Sequence, residues 1–424
     1  MEPNRYRHYI GIDWATEAHR ICLLDHEGQV RGKISVPHSG TGLAQLLEWL
    51  TNHGVVPALA AVAIETPRGA VVETMVERGY AVFAINPKQL ERFRERYSTA
   101  GAKDDDRDAW VGASALRTDP VAFHRVNLDA PEVIQVRELY RTNDALQADA
   151  QRFANRLSEQ LRRYYPQMLV LCPAGDQPLL WDLLELAPLP ETAHQATAGQ
   201  IAAVLRQRRI RRLTAEQVLT QLRATPLQVA PGAAAAASEH ALVLIAQLRV
   251  VHDLRKRTLK QLILALRQMR TRRTDAPRPS DAEIVDSLPG AGTLTVAAVI
   301  SEASQAVAER NGTALRTHSG VAPVTRQTGK HRGVGMRYAC NRRLRNAFYH
   351  FAMTSLQADA MARRHYDELR QQGHHHARAL RGVADRWITV LIAMLRAGEL
   401  YDPTRRKAWR AASEQTSCAR WDWS

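Results

Sequence analysis

Three short stretches near the start of the chain decide the fold: HYIGIDW (8–14), AHRICLLD (18–25) and QVRGKISV (29–36). Apolar and polar residues alternate within them and short polar or Gly-containing turns separate them, which predicts a three-stranded antiparallel meander. A helical stretch follows at 42–50, and apolar runs at 58–65 and 80–86 predict two further strands with a helix between them. Helical segments then continue from Pro87 to about Leu116. This order of elements is the one expected of an RNase H-like α/β fold.

The strand signal disappears from about residue 131 to residue 275. The segments 138–165 and 239–269 carry apolar residues at three- and four-residue spacing, which predicts long paired helices of the coiled-coil type. Such helices also suggest dimerisation. The segment APGAAAAASEH (230–240) between the predicted helices is interpreted as a hinge.

The remaining sequence is mainly helical and completes a fold class of α/β plus all-α. We expect an RNase H-like domain at 1–130, a basic helical coiled-coil region at 131–275, a mainly helical domain at 276–403 and a peripheral tail at 404–424. Within the third region, LPGAG (288–292) between two helical segments resembles a helix-hairpin-helix element whose glycines let backbone amides approach a phosphate.

The charge of the chain indicates a polyanionic partner. Lys and Arg total 58 against 43 Asp and Glu, a formal balance of +15. Residues 201–274 contain 15 Lys/Arg and only 3 Asp/Glu, so most of the excess is concentrated there. Basic side chains gain by displacing counterions from nucleic acid, and a track for phosphates is favoured over a merely solvated helix face.

Several classes are excluded by what the sequence lacks. Four widely separated cysteines, Cys22, Cys172, Cys340 and Cys418, form neither a zinc knuckle nor a disulfide framework by spacing, which favours a reduced cytosolic compartment. The start MEPNRYRHYIGIDW has no apolar region of the signal-peptide kind, and no 18-residue stretch looks apolar enough to span a bilayer. A membrane or secreted protein is therefore not expected.

Four carboxylates are candidates for a metal site. Asp13 and Glu65 each end an apolar strand, and the two strands are expected to be neighbours. In AGAKDDDRDAW (100–110), Asp105 and Asp108 are three residues apart and fall on one face of a helical turn. Converging carboxylates repel unless cations bridge them, so the pattern favours Mg²⁺ over an acidic helix cap beside two unrelated strand-end acids.

The motifs resemble a known family. GIDWATEAHRICLLD (11–25), AIETPRGA (63–70), INPKQLERFRE (85–95) and AKDDDRDA (102–109) look like the DEDD transposases of the IS-one-ten group of insertion sequences, related in fold to RuvC resolvases. LPGAGTLTVAAVISE (288–302) and the segment 318–352 resemble the C-terminal transposase domain of the same group. The resemblance covers about residue 7 to about residue 403, and it maps the acidic tetrad onto Asp13, Glu65, Asp105 and Asp108.

The resemblance implies a transposase or site-specific recombinase that cuts and rejoins double-stranded DNA. Members of the group are thought to use a C-terminal serine together with the acidic site of a partner subunit, and a structured noncoding bridge RNA that pairs donor and target DNA. It thus implies a guide RNA and a homo-oligomer, a dimer or tetramer. A cytoplasmic, nucleoid-associated location in a bacterium is expected.

The nucleophile position departs from the family pattern. PVTRQTGK (323–330) places Thr328 where the family commonly has serine, and Ser319 in HSGVAP is the alternative hydroxyl. Threonine has the same oxygen, but its methyl group restricts the side chain. Seven basic residues and no acid surround this position and are candidates for binding the nucleic-acid backbone: Arg326, Lys330, Arg332, Arg337, Arg342, Arg343 and Arg345.

Two alternatives stay open on the sequence. One is a metal-dependent junction resolvase or DNA invertase in which water attacks and no covalent intermediate forms. The other is a catalytically impaired nucleic-acid-binding derivative, disabled at Thr328. Nearby, Tyr338 and Asn341 are interpreted as anchoring the loop or contacting DNA, with packing an equal possibility for Tyr338.

Overall fold

The computed structural model describes residues 6–97, 105–230, 232–271, 278–328 and 331–405. The side chains of seven residues within its helices and strands are not described: Tyr97, Asp105, Thr271, Arg326, Thr328, His331 and Arg332. The chain divides into two compact units, Met1–Asp129 and Ala130–Ser424. Each unit is built around its own hydrophobic cores.

A six-stranded mixed sheet forms the first unit. Its strands are β1 (His8–Asp13), β2 (Ala18–Asp25), β3 (Val30–Pro37), β4 (Ala60–Ile64), β5 (Ala81–Ala84) and β6 (His124–Arg125), in the order β3-β2-β1-β4-β5-β6. β2 pairs antiparallel with β1 and β3, whereas β4 runs parallel to β1 and β5 parallel to β4. The predicted meander and the RNase H-like class are confirmed.

Helices cover both faces of this sheet. They are α1 (Gly40–Asn52), α2 (Ala70–Glu77), α3 (Pro87–Tyr97) and α4 (Asp105–Thr118). Because side chains alternate along a strand, one set of strand residues packs with α1 and α2 and the other set packs with α3 and α4. Tyr9 lies on the α4 side and Ile10 and Ile12 on the other. The central strands β1, β4 and β5 are therefore buried on both faces, as their apolar runs predicted, whereas the edge strands β3 and β6 are largely exposed.

The second unit is helical apart from one hairpin. Its helices are α5 (Pro131–Tyr164), α6 (Gln167–Leu171), α7 (Pro178–Leu186), α8 (Ala198–Gln207), α9 (Ala215–Leu222), α10 (Ala233–Thr271), α11 (Asp281–Asp286), α12 (Thr293–Glu302), α13 (Ser304–Ala308), α14 (Gly312–His318), α15 (Arg342–Ala358), α16 (Ala360–Gln371) and α17 (His376–Ala397). The hairpin pairs β7 (Val324–Thr328) antiparallel with β8 (His331–Gly335). The two long helices α5 and α10 pack along each other, as predicted.

The segment between the long helices differs from the prediction. Helices α6 to α9 enclose a core with parts of α5 and α10. The predicted hinge at 230–240 is wrong for most of its length, because α10 begins at Ala233 and runs through it. Alanine has the highest helix propensity, so the alanine run favours helix once Pro231 and Gly232 have been passed. The pairing of α5 with α10 within one chain also accounts for the coiled-coil pattern without a second chain.

Helix α10 is also long and apolar enough to cross a membrane by length and composition alone. The expectation that no stretch of the sequence reaches that level is therefore wrong. Of the apolar window of this helix 39% is buried, and Leu244, Leu248 and Leu266 are among the helix residues that face the protein interior. Since a core helix of this length passes the same test, the finding is weak evidence for a membrane span.

Candidate active site

Asp13 and Glu65 end two neighbouring parallel strands. In the register of β1 with β4, Ile12 is opposite Ile64, so each acid lies at the next position along its chain. Alternation places Asp13 on the same face as Tyr9, and Glu65 continues the face that carries Ala63. Both acids therefore lie at the carboxyl edge of the sheet, on the face covered by α4.

Helix α4 brings Asp108 against that face. Gly11 allows the close approach, because a Cβ atom there would lie 2.8 Å from the backbone carbon of Ala109 and from the backbone nitrogen of Ala113. The Asp108 side chain is only 5% exposed. Asp13 is two residues from Gly11 and Asp108 is next to Ala109, so one backbone contact fixes the positions of both acids.

Arg94 of α3 holds the Asp108 carboxylate. Its Nε lies 3.2 Å from Asp108 Oδ1, and the two atoms attract as charges without hydrogen-bond geometry. Asp106, by contrast, is about half exposed and lies 3.7 Å from the Arg20 guanidinium, so it points away from the core. Asp105 is the first residue of α4, and its side chain is not described.

The donor chemistry of the acids suits a divalent cation. Carboxylate oxygens are the ligands that Mg²⁺ prefers, and Asp13, Glu65 and Asp108 share one side of the sheet. Among the side chains that the structure describes, no three His, Cys, Asp or Glu residues are already grouped at metal-binding spacing. The residues thus suit the ion in their donor chemistry and lie on one side of the sheet, while Asp108 is paired with Arg94.

A pair of histidines supports the turn that follows Asp13. The backbone N–H of Ala15 donates to His19 Nδ1 at 3.4 Å, so the hydrogen of neutral His19 is on Nε2, which donates to His38 Nδ1 at 2.8 Å. His19 is fully buried. Its pKa is lowered mainly by burial and to a smaller extent by the nearby His38. Trp14 packs its ring beside both imidazoles. The roles of Arg94 and His38 are not visible in the sequence, since both depend on tertiary contacts.

Thr328 is the last residue of β7, directly before the turn of the hairpin. Its backbone pairs with that of His331, and its side chain and Lys330 lie outside the described residues. The hairpin is open to solvent: Val334 is 66% exposed and Tyr338, just after β8, is 77% exposed. The packing interpretation of Tyr338 is therefore wrong. A two-stranded hairpin with so little burial is suited to gain order from a binding partner.

Ser319 lies in a different environment. It ends α14, is fully buried and donates its hydroxyl to the backbone oxygen of Leu315 at 2.7 Å. The same Leu315 carbonyl also accepts the backbone N–H of Ser319 at 3.0 Å, so both donors of Ser319 are engaged in the last turn of the helix. Its contacts are those of a structural residue.

Buried contacts fix the position of the start of α15, directly after the hairpin. Asn341 caps α15 by accepting from the backbone N–H groups of Arg343 and Leu344, and its amide donates to Glu302 Oε2 at 2.7 Å. Arg141 of α5 donates two hydrogen bonds to the same Glu302 carboxylate, at 2.7 and 3.1 Å. Burial raises the pKa of Glu302, but the hydrogen bonds from Arg141 and Asn341 outweigh it, so the pKa lies below its usual value.

The basic residues predicted to bind nucleic acid have different contacts. Arg343 pairs with Asp144 of α5 at 2.8 Å, and Arg337 donates to the backbone oxygen of Ala322 at 3.3 Å. Arg342 is exposed and Arg345 is half-buried. The side chains of Arg326 and Arg332 are among those not described. Arg337 thus joins the segments on either side of the hairpin, and Arg343 joins the start of α15 to α5.

The first glycine of LPGAG, Gly290, has a packing role. Gly290 has a φ of +86°, and a Cβ there would lie 2.9 Å from the backbone nitrogen of Ser355 in α15. The carbonyl of Gly290 accepts from Thr354 Oγ1 at 2.8 Å. The requirement for glycine at this position comes from close packing on α15, which the phosphate interpretation of the motif did not foresee.

An RNase H-like sheet with strand-end carboxylates, followed by a helical unit with a basic hairpin, defines the class of RNase H-like enzymes that act on nucleic acid. Residues 10–166 match a family model of transposases of the DEDD type, and residues 282–367 match the model of the IS116/IS110/IS902 transposase family. Two separate parts of the chain therefore point to the same kind of protein.

Individual relatives agree with these models. The chain is 31% identical over 407 residues to the mini-circle putative transposase for IS117 of Streptomyces coelicolor, covering 94% of this chain and 96% of that protein. It is 46% identical over 209 residues to the putative transposase y4uE of Sinorhizobium fredii, a match that spans 49% of this chain and 58% of that protein. The chain belongs to the IS110/IS116 family of transposases.

Proposed function

We propose that this transposase cuts and rejoins DNA with the carboxylates of Asp13, Glu65, Asp105 and Asp108 as ligands of Mg²⁺ and with the hydroxyl of Thr328 as the nucleophile. The observation that carries the proposal is the placement of Asp13 and Glu65 on one face of the sheet edge, against the helix that bears Asp108. When bound, the cation would neutralise charge on the scissile phosphate.

The covalent step is a transesterification. Thr328 Oγ forms a bond to phosphorus while the bond from phosphorus to one deoxyribose oxygen breaks. The threonine proton is lost and the departing oxygen gains one, so the products are a phosphothreonyl DNA end and a free hydroxyl end. Attack by that hydroxyl, or by one from another duplex, reverses the step and rejoins the strand without an external energy source.

The open hairpin supports this assignment. Thr328 is the last residue of β7, in a hairpin whose Val334 side chain is exposed, whereas the Ser319 hydroxyl is buried and already donates to Leu315. Arg342 lies exposed at the start of α15 and would contact the DNA backbone, whereas Arg343 would position the hairpin through Asp144. Arginine forks suit contacts of both kinds.

The partners follow from the family resemblance. Donor and target DNA, a structured guide RNA that bridges them, and a homo-oligomer of two or four chains are all part of the proposal, as are the domain limits at 130, 275 and 403 and a cytoplasmic, nucleoid-associated location. The basic excess of the second unit supports a polyanionic partner. Its arginines would contact mainly backbone, which leaves sequence choice to the RNA.

Two other functions make different predictions. A metal-dependent resolvase or invertase would cut with water and leave no DNA attached to the protein. A catalytically impaired derivative would bind DNA without cutting it. We favour the covalent mechanism because Thr328 occupies the position where the family commonly has serine, in a hairpin whose Val334 side chain is exposed.

Trapping of a denaturation-resistant protein–DNA adduct tests the proposal. The wild-type chain and three variants, Thr328→Ala, Thr328→Ser and Ser319→Ala, would be incubated with Mg²⁺ and plasmid DNA carrying the insertion element with its flanks. We expect the adduct in the wild type, in Thr328→Ser and in Ser319→Ala, and none in Thr328→Ala. An adduct that persists in Thr328→Ala and disappears in Ser319→Ala would overturn the assignment.

A matched variant tests the acidic site. Asp108→Asn keeps the size of a side chain that is 5% exposed, so loss of cleavage with intact DNA binding would support a catalytic role. Asp106→Asn, two residues away and half exposed, is the control and should cleave normally. Unchanged cleavage in Asp108→Asn would contradict the metal-site proposal.

A further inference from the structure

The turn between α8 and α9 presents a compact group of arginines. Four exposed arginines lie within seven residues, Arg206, Arg209, Arg211 and Arg212. The sequence has no Asp or Glu from residue 192 to residue 215. Within the described residues none of the four takes part in an ion pair, whereas the fifth arginine of the turn, Arg208, does. The turn therefore carries a concentrated positive charge that the surrounding protein does not neutralise.

Arg209 adopts a backbone conformation that usually belongs to glycine. Its φ is +56°. It follows the C-cap of α8, where its N–H donates to the Arg206 carbonyl at 3.0 Å and the next N–H, of Ile210, donates to the Leu205 carbonyl at 2.9 Å. These bonds form a Schellman motif, whose left-handed position strongly prefers glycine because a Cβ atom is strained there. A side chain at this position works against folding unless it has another use.

The second left-handed arginine shows what such a use can be. Arg310 has a φ of +52° at the same position after α13, and its guanidinium makes two hydrogen bonds to Asp281, at 2.6 and 2.8 Å. Arg310 thus compensates its strain with a contact inside the fold. Arg209 is exposed and has no comparable contact in the described part of the chain. Strained residues of this kind are concentrated at functional sites.

The turn is held rigidly in place. Arg208 donates two hydrogen bonds to Asp182 of α7, at 2.5 and 2.7 Å, and Arg249 of α10 donates to the same carboxylate at 2.7 Å. Ile210 and Leu213 pack on the core of the four short helices. The exposed arginines are thereby presented without the ordering cost that a flexible loop would have on binding.

From these observations we propose that the Arg206–Arg212 turn is a docking site for the phosphate backbone of double-stranded DNA. Arginine without lysine suits bidentate phosphate contacts. Proteins that recognise single strands add aromatic side chains on which bases stack, and residues 198–223 contain no Phe, Tyr or Trp. The backbone of a duplex is therefore favoured over a single-stranded or looped RNA. The inference rests on the proposed action on DNA and adds a contact surface outside the acidic site and the hairpin.

The strain at Arg209 makes a sharp test possible. Arg209→Gly in the full chain should raise the melting temperature, because glycine relieves the left-handed strain, and should at the same time weaken binding to a fluorescein-labelled 25-base-pair duplex of unrelated sequence. Loss of one phosphate contact lowers affinity about eightfold at ~0.1 M salt and reduces the slope of log K against log salt by about 0.9. Opposite changes in stability and affinity cannot come from misfolding.

Two further variants complete the experiment. The double variant Arg211→Gln, Arg212→Gln should weaken duplex binding about 60-fold at ~0.1 M salt. Arg310→Gly changes the same kind of helix cap away from the turn and should leave affinity unchanged. Unchanged duplex affinity in the double variant, an equal loss in Arg310→Gly, or a loss confined to a labelled RNA hairpin would each overturn the proposal.

The outcome of these binding measurements is separate from that of the adduct test. An adduct that forms in the wild type while the turn variants bind duplex DNA normally would refute only the docking site. Weaker duplex binding by the turn variants, with no adduct in the wild type, would refute only the covalent mechanism.

Discussion

Replacement of Gly11 by alanine should disrupt the contact that positions the buried Asp108 and the half-buried Asp13. The new Cβ would lie 2.8 Å from the backbone carbon of Ala109 and from the nitrogen of Ala113, and nearer still to the Ala109 oxygen. Ordinary contact starts at 3.4 Å, and the Ala109 oxygen is the nearest of the three atoms, so β1 and α4 would have to separate by more than ~1 Å through the centre of a packed core. Overpacking costs typically about 1–3 kcal/mol, and backbone atoms cannot rotate away, so we expect about 3 kcal/mol.

Gly112→Ala is the matched control in the same interface. Gly112 lies in α4, and a Cβ there would meet only the Ala63 Cβ, at the ordinary distance of 3.6 Å. Alanine should therefore stabilise the helix by about 0.5–1 kcal/mol. The two substitutions add the same methyl group to opposite sides of the interface between α4 and the sheet, and they should change the stability of the first unit in opposite directions.

Thermal melts of the full chain, with hydrogen-exchange mass spectrometry to follow β1 and α4, measure both effects. We expect the melting temperature of the first unit to fall by roughly 10 °C in Gly11→Ala and to rise by a few degrees in Gly112→Ala. DNA cleavage by Gly11→Ala should fall by more than its folded fraction, since Asp13 and Asp108 flank the contact. Equal melting temperatures for wild type and Gly11→Ala would refute the proposed closeness of β1 and α4.

Three other predictions follow from named contacts. Glu302 has a lowered pKa in the folded chain, so its contribution to stability is present above its unfolded pKa of about 4.3 and is lost as the pH falls below that value. Glu302→Gln should therefore cost on the order of 3 kcal/mol at pH 7 and reduce the fall of the melting temperature at acid pH. An unchanged fall of the melting temperature at acid pH would contradict this prediction. Arg94→Gln removes the cation beside Asp108, so the melting temperature without metal should fall while Mg²⁺ raises it by more than in the wild type; equal responses to Mg²⁺ would argue against competition between Arg94 and the ion. Ser319→Ala loses a buried hydrogen bond and should lower stability by about 1 kcal/mol in urea unfolding, with adduct yield per folded molecule unchanged.

The sheet could be predicted from the sequence because each strand shows its own pattern of apolar and polar residues. Alternation in 8–36 specified three strands and their antiparallel pairing, and the apolar runs before Glu65 and at 80–86 specified the parallel strands. The two-residue strand β6 (His124–Arg125) was missed because it is too short to show a period. The position of Asp13 and Glu65 at one sheet edge followed from the strand order alone.

The parts that failed depend on tertiary contacts. The alanine run after Gly232 was interpreted as a hinge, yet Ala237 at its end and Ala241 one turn later are buried against the short helices, and that packing selects helix. The ion pair of Arg94 with Asp108 joins α3 to α4 and has no signal in either helix alone. The ion pair of Arg343 with Asp144 could not be foreseen either, because the two residues are 199 apart in sequence; the nucleic-acid role of Arg343 stays a prediction.

The most direct test of the covalent mechanism is to locate the DNA attachment by mass spectrometry. The wild-type chain would be trapped on its DNA, treated with nuclease and trypsin, and searched for a peptide that carries a residual nucleotide. The mechanism predicts that nucleotide on Thr328. A nucleotide on Ser319 or any other residue, or cleaved DNA with no modified peptide at all, would contradict it.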